Sequence, residues 1–282
     1  MIKYGFFENE NIIAGFSERS GGVSPMPENS LNLSFSREPG ANRLNVLENY
    51  WIAASQLSVE PGSVTRMSQV HGSDVIRIGE EHRGMGVTRE LPGELSVHGY
   101  DGMITNVPGI TLSTTHADCT PVLLYDPENG AIGAVHSGWK GTCLKIAAEA
   151  VKRMGEEFGS RPENVKAVIG PAISLKHFEV RKDVYEQFID AFSDLGQETL
   201  SGLIKKDGTA DNLSPGGAIE ADPKWHIDMR GFVKLTLIRC GLLADNIFDD
   251  DLCTFSDPSR FFSHRRDGTR SGAMAAFIAI RK

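Results

Sequence analysis

"HADCTPVLLYDPENGAIGAVHSGW", residues 116–139, places two apolar runs on either side of an Asp-Pro-Glu-Asn-Gly break. Proline presets φ for an early turn position, and Asn-Gly tolerates the left-handed region that follows. The break therefore folds PVLLYD (121–126) back onto AIGAVH (131–136) as an antiparallel hairpin. With its centre near residue 128, residue 120 falls opposite residue 136. Cys119 and His136, far apart in the chain, then leave the sheet at the same end.

Other β-type runs lie at 64–70 (VTRMSQV), 74–78 (DVIRI), 109–115 (GITLSTT), 165–170 (VKAVIG) and 273–280 (AMAAFIAI). Four stretches carry helical periodicity. Leu44, Leu47, Trp51 and Ala54 form a stripe behind Asn42 as N-cap, and Leu144 to Phe158 form another closed by Gly159. Val184 to Leu195 makes a third, ended by Gly196; the fourth starts near Asp228 and stops at Gly241. Short turns between some strands and helices between others predict a mixed sheet, hence an α/β or α+β fold. Residues 80–97 and 201–222 are Gly-, Pro- and charge-rich and read as long loops, and neither divides the chain. A single domain over 1–282 is expected.

The net charge is −8, from 29 basic and 37 acidic residues, with no basic stripe, which excludes duplex nucleic acid as a partner. A small anion needs only one or two arginines. No apolar run approaches the roughly 18 residues of a membrane span, and MIKYGFFENENII reads as neither signal nor transit peptide. The cysteines, at 119, 143, 240 and 253, show no CxxC spacing, so reduced thiols and a cytoplasmic location are expected. Oligomeric state is not legible.

His71, in MSQVHGSDV, ends a β-type run before a Gly-Ser-Asp turn, the setting that Cys119 and His136 share. Strand-end residues beside small-residue turns are rigidly held yet open to a cleft. Two imidazoles and a thiolate point to zinc with its fourth position left to solvent, the arrangement of a catalytic site, where a bound water is deprotonated near neutral pH. His116 is the nearest extra imidazole but sits on a different part of the turn, so no fourth ligand is convincing. Two other readings use the same residues: a blue-copper centre, for which no methionine follows His136 closely, and a Cys119–His136 hydrolase dyad. Zinc is preferred to copper.

With these motifs the chain resembles the YfiH-like family, labelled multicopper polyphenol oxidase or laccase-domain protein and later purine nucleoside phosphorylase. The resemblance runs through FSERSGGVSPMPENSLNLS (16–34), SQVHGSDV (68–75), YDGMITN (100–106), TTHADCTPVLLYDP (114–127), AVHSGWKGT (134–142), IGPAISLKHFEV (169–180) and DLCTFSDPSRFFSHRRDGTRSG (251–272). It implies two mixed sheets packed as a sandwich with helices on both outer faces, and one zinc on His71, Cys119 and His136. It implies an enzyme that cleaves adenosine, inosine, guanosine and methylthioadenosine with phosphate and also deaminates adenosine. Multicopper centres consume more imidazoles than the 8 histidines here supply. Ser137 and Lys140 are mild departures. Relatives show Thr-Gly-Arg where Ser271-Gly272-Ala273 stands, so any role of that arginine is absent or falls to Arg270.

Deamination needs a proton-shuttling carboxylate, for which Asp118 and Asp74 are the candidates, each equally readable as a turn cap. The H-x-E and PCxxC signature of zinc deaminases is missing. Phosphorolysis needs a cationic, amide-rich seat, which Arg19 (also a catalytic candidate), Gly21 and Gly22 offer. Arg265, Arg266 and Lys140 are further candidates for substrate contact. Rival readings are a peptidoglycan-precursor editing hydrolase, a polyphenol oxidase, and a binding module whose metal has a closed shell.

Overall fold

The computed structural model describes residues 1–7, 11–26, 30–36, 43–207 and 223–282. Asn42 and most of the second expected loop lie outside these. The strands are β1 (Ile12–Phe16), β2 (Val64–Thr65), β3 (Val75–Arg77), β4 (Gly102–Thr105), β5 (Thr111–His116), β6 (Thr120–Asp126), β7 (Ala131–Ser137), β8 (Lys166–Ile169), β9 (Glu179–Val180), β10 (Ile204–Lys206), β11 (Trp225–Ile227), β12 (Ile247–Asp249) and β13 (Met274–Ile280). The helices are α1 (Arg43–Leu57), α2 (Gly93–His98), α3 (Trp139–Cys143), α4 (Ile146–Phe158), α5 (Lys182–Ala191), α6 (Gln197–Leu203), α7 (Met229–Arg239) and α8 (His264–Asp267).

The hairpin of β6 and β7 is the centre of a six-stranded mixed sheet, ordered β12-β8-β6-β7-β4-β3. Its turn is set by Asp126, whose Oδ1 accepts the amides of Glu128 and Asn129 at 2.9 and 3.4 Å, and by Gly130 at φ +58°. These bonds make the loop four residues long and pair Asp126 with Ala131. The register is therefore one residue from the expected one: Pro121, not residue 120, faces His136. Cys119 still lies just off the same strand end.

Side chains along the hairpin alternate between two cores, as strand geometry requires. Leu123, Tyr125, Ile132 and Ala134 face a second mixed sheet, β1-β13-β5-β2, and meet Phe16, Leu112, Ala276 and Ile278. Val122, Leu124 and Val135 face outward, beneath Val151 and Met154 of α4 and Val233 and Leu237 of α7. Helix α1 covers the other outer face, packing Val46, Tyr50 and Ala53 on Val64, Ala275 and Phe277. At about 1.5–3 kcal/mol for each large apolar side chain buried, these layers dominate the folding energy. The α/β sandwich with helices on both outer faces is thus the architecture of the chain.

Several local expectations change. A three-stranded antiparallel sheet, β10-β11-β9, was not anticipated, and β10 begins inside the segment read as loop. It packs with α5 around Phe188, Phe192 and Trp225. The stripe starting at Leu144 is broken: α3 ends at Cys143, Lys145 takes φ +60°, and Leu144 is exposed. Leu44 and Trp51 are also exposed, because α1 turns inward a face that includes Asn49, whose side chain bonds Ser24, Ser30 and Asn32. Gly196 starts α6 rather than ending α5. Asp228 caps α7 as expected, accepting from the Gly231 amide at 3.0 Å. Only Val64 and Thr65 of the 64–70 run pair as strand; the rest leaves the sheet.

Candidate metal centre

The segment after β2 runs along β5, pinned there by Gln69. Its amide group donates to the Thr115 carbonyl at 2.8 Å and accepts from the Thr115 N–H at 2.8 Å. This delivers Val70-His71-Gly72 to the end of the sandwich. His71 sits at φ +60°, a conformation costing an L-residue about 1–2 kcal/mol. The amides of Val70, His71 and Gly72 all converge on the buried carboxylate of Asp101, at 3.0, 3.1 and 2.8 Å, and offset that cost.

Asp101 also reaches His136 on β7, with Oδ1 at 2.7 Å from Nδ1. Burial works against its charge, but His136 and the amides of Gly72 and Val70 hold its pKa below the ordinary value. With Nδ1 bonded to the carboxylate, Nε2 is the open nitrogen of His136, so the tautomer of a metal ligand is fixed from behind. The His71 and His136 rings meet edge to face at 4.9 Å.

Cys119 follows Asp118, whose backbone at φ +89° turns the chain from β5 into β6. Asp118 is buried and fully engaged: Oδ1 accepts from Thr254 Oγ1 at 2.6 Å and Oδ2 from the Arg265 amide at 2.7 Å. These bonds fix the turn that presents the thiol. Burial resists ionisation of Cys119, yet His136 and His71 draw its pKa down to about 6. His136 in turn is lifted to about 9 against its own desolvation, by Cys119 and Asp101.

One donor atom from each of His71, Cys119 and His136 lies within 4.8 Å of the others, close enough for one ion to take all three. Among the described residues no fourth donor joins them. Gly138 closes the back of the group. A Cβ there would stand 2.7 Å from His71 Cδ2, 3.3 Å from Cys119 Sγ and 3.6 Å from His136 Cε1.

The three residues form one end of a cleft of about 370 Å³, whose other walls include Ser34, Phe35, Ser36, Arg66, Ser68, Leu91, His116 and Ala273. That volume is in the range of small-molecule sites. His116 is buried, and neither ring nitrogen has a hydrogen-bond partner. Burial, then the charge of His136, depresses its pKa to about 3, so it is a neutral imidazole.

The remaining sequence candidates stand elsewhere. Asp74 pairs with His98 at 2.8 Å beside Arg77 and Arg153, outside the walls of this cleft. Arg19 bonds the Pro258 carbonyl at 2.8 Å and lies over Phe262. Gly21 has φ +93°, and the Gly22 amide is taken by Ser30 Oγ at 3.0 Å. Arg265 bonds the carbonyl of Glu179, and Arg266 those of Thr254, Phe255 and Phe261. Lys140, exposed, has its amine over Trp139. Asp101 and Arg66 were not singled out by sequence: Asp101 is marked only by its long-range partners, and Arg66 only by its place in the cleft. Ala273 lines the cleft. Among the described residues no helix is long and apolar enough to cross a membrane.

The family model described as "Multi-copper polyphenol oxidoreductase laccase" matches residues 13–281. Purine nucleoside phosphorylase YlmD of Bacillus subtilis (strain 168) is 32% identical over 97% of this chain and 90% of its own length. Adenosine deaminase RL5, from an unknown prokaryotic organism, is 30% identical over 83% of this chain and 81% of its own. The crystal structure of YlmD from Geobacillus stearothermophilus aligns with a TM-score of 0.83 at 30% identity, covering 99% of this chain and 94% of that one.

Proposed function

Because the chain belongs to the multi-copper polyphenol oxidoreductase laccase family, we propose that it is a zinc enzyme of purine nucleosides. In this reading it releases the base of adenosine, inosine, guanosine or methylthioadenosine by phosphorolysis and deaminates adenosine in the same cleft. Its partners are the nucleoside and phosphate. The names of the phosphorylase and deaminase relatives support the chemistry. The observation that carries it is the convergence of His71, Cys119 and His136 at one end of an open cleft.

The donor set fits one borderline-soft ion. It does not extend to a copper cluster. Among the described residues the other group of metal-type donors is Glu179, Asp207 and His226, with one imidazole and with Glu179 paired to Lys224 at 3.0 Å. A zinc ion held by the three residues supplies a Lewis-acidic pole and an activated water at this end of the cleft.

The side chains around it divide the remaining work. Asp101 holds the His136 ring and the His71 backbone in place. Asp118, with both oxygens bonded, serves as the clamp for Cys119. His116, neutral and unpartnered, offers one N–H and one lone pair to the edge of a purine.

The test is direct. Purified protein is incubated with adenosine or inosine, with and without phosphate, and the products are chromatographed beside a metal analysis. Phosphate-dependent free base and inosine formation, both lost in Cys119→Ala, are expected. Zinc-loaded protein that leaves both nucleosides intact would overturn the reading.

A further inference from the structure

We propose that Arg66, with the hydroxyls of Ser34, Ser36 and Ser68, is the seat of the phosphate co-substrate; the inference rests on the nucleoside reading above. Among the described residues lining the metal cleft Arg66 is the sole lysine or arginine, and none is an aspartate or glutamate. A guanidinium stays charged at any accessible pH and is seldom left partly buried without a partner. The Arg66 guanidinium has no carboxylate or carbonyl partner among the described residues, and its Nε is buried without any hydrogen bond. An anion in the cleft would balance the charge.

The surroundings suit a tetrahedral oxyanion. The Arg66 guanidinium stands over the Phe35 ring at 5.7 Å, which orients its flat fork. Arg43 lies over the same ring at 4.6 Å and adds a second positive charge nearby. Ser34 and Ser36 bring their hydroxyl oxygens within 3.1 Å of each other, and Ser68 lines the same cleft. Bidentate arginine and hydroxyl donors are the usual grip on phosphate. Two of the other candidate seats have their donors committed: Gly22 to Ser30, with Val23 beside it to Asn49, and Arg266 to three carbonyls and Asp267.

Arg66 and the His71–Cys119–His136 group line one cleft, so a nucleoside lying in it can meet both. In the reaction, an oxygen of dihydrogen phosphate forms the bond to ribose C1′ while the C1′–N9 bond breaks. The bond pair leaves with the purine. The proton given up by the phosphate ends on a purine ring nitrogen, giving free base and ribose 1-phosphate.

The experiment uses the zinc-loaded full chain as wild type, Arg66→Gln, Arg66→Lys and Ser36→Ala. Inorganic phosphate is titrated calorimetrically, and inosine cleavage is followed against phosphate concentration. Removing a charge-assisted contact should raise the Kd and the KM for phosphate in Arg66→Gln about tenfold or more, while the KM for inosine moves far less. Arg66→Lys and Ser36→Ala should fall between; they carry the test if the glutamine variant does not fold. Phosphate binding that depends on Arg66, without release of base, would keep the seat and defeat the functional reading. Undiminished phosphate affinity in Arg66→Gln, or none in the wild type, would overturn the seat itself. So would an Arg66 effect confined to nucleoside 5′-phosphates.

Discussion

Asp101 Oδ1 lies 2.7 Å from His136 Nδ1, and the same carboxylate gathers the amides of Val70, His71 and Gly72. One buried side chain thus orients two of the three metal-type donors. Asp101→Asn should lower zinc affinity about 10- to 100-fold, since a carboxamide has one acceptor oxygen for four donors. Asp101→Ala should also cost about 2–4 kcal/mol of stability by leaving buried amides unpaired. Chelator competition and urea titration measure the two effects.

Gly138 is required for space, since its φ of −71° suits any residue. In Gly138→Ala the new methyl would press on His71 from 2.7 Å and touch Cys119 and His136. Zinc content after dialysis should fall steeply while the circular dichroism spectrum holds. Full zinc retention would show that the end of the cleft yields more easily than its geometry indicates.

His116 lines the cleft but lies outside the donor group. His116→Phe should therefore keep its zinc, unlike Cys119→Ala. Nucleoside kcat/KM should drop about tenfold or more through the loss of a hydrogen bond to the base. Elemental analysis and steady-state kinetics on one preparation separate ligand from cleft wall.

Acid behaviour should report on Asp250, remote from the cleft. Burial lifts its pKa from 3.8 to about 6, against the hydrogen bond from Tyr4 and the attraction of Arg230, with Asp249 adding repulsion. Between those values the native state binds more protons than the unfolded chain. Its contribution is full below the unfolded value and is lost as pH rises through the folded one. The wild type should thus lose up to about 3 kcal/mol relative to Asp250→Asn between pH 4 and 7. Urea titrations of both proteins across that window test the slope; a flat difference would refute it.

The hairpin, the mixed α/β class and the three donors were legible because each is written locally, as turn chemistry, strand alternation, or a ligand-type residue beside a glycine turn; the two-sheet sandwich came only with the family resemblance. Asp101 was not legible, although YDGMITN is one of the motifs that carry the resemblance. An aspartate before a glycine looks like a turn cap until its partners at 70–72 and 136 are seen. Arg66 was hidden inside a run read as strand, where neither the Gln69 clamp on Thr115 nor the pairing of its amide with Met85 has a local signature. The face of α1 was misjudged for a similar reason. Asn49 is buried by polar contacts with residues 17 to 25 positions away, which apolar periodicity does not register.

The left-handed turn at His71 is held by Asp101 through bonds among the protein's own atoms, and the same carboxylate fixes the His136 ring. Donors of this kind accept more than one ion, and copper outranks zinc at nitrogen and sulfur ligands. Cultures grown with surplus copper should therefore yield a copper-loaded form.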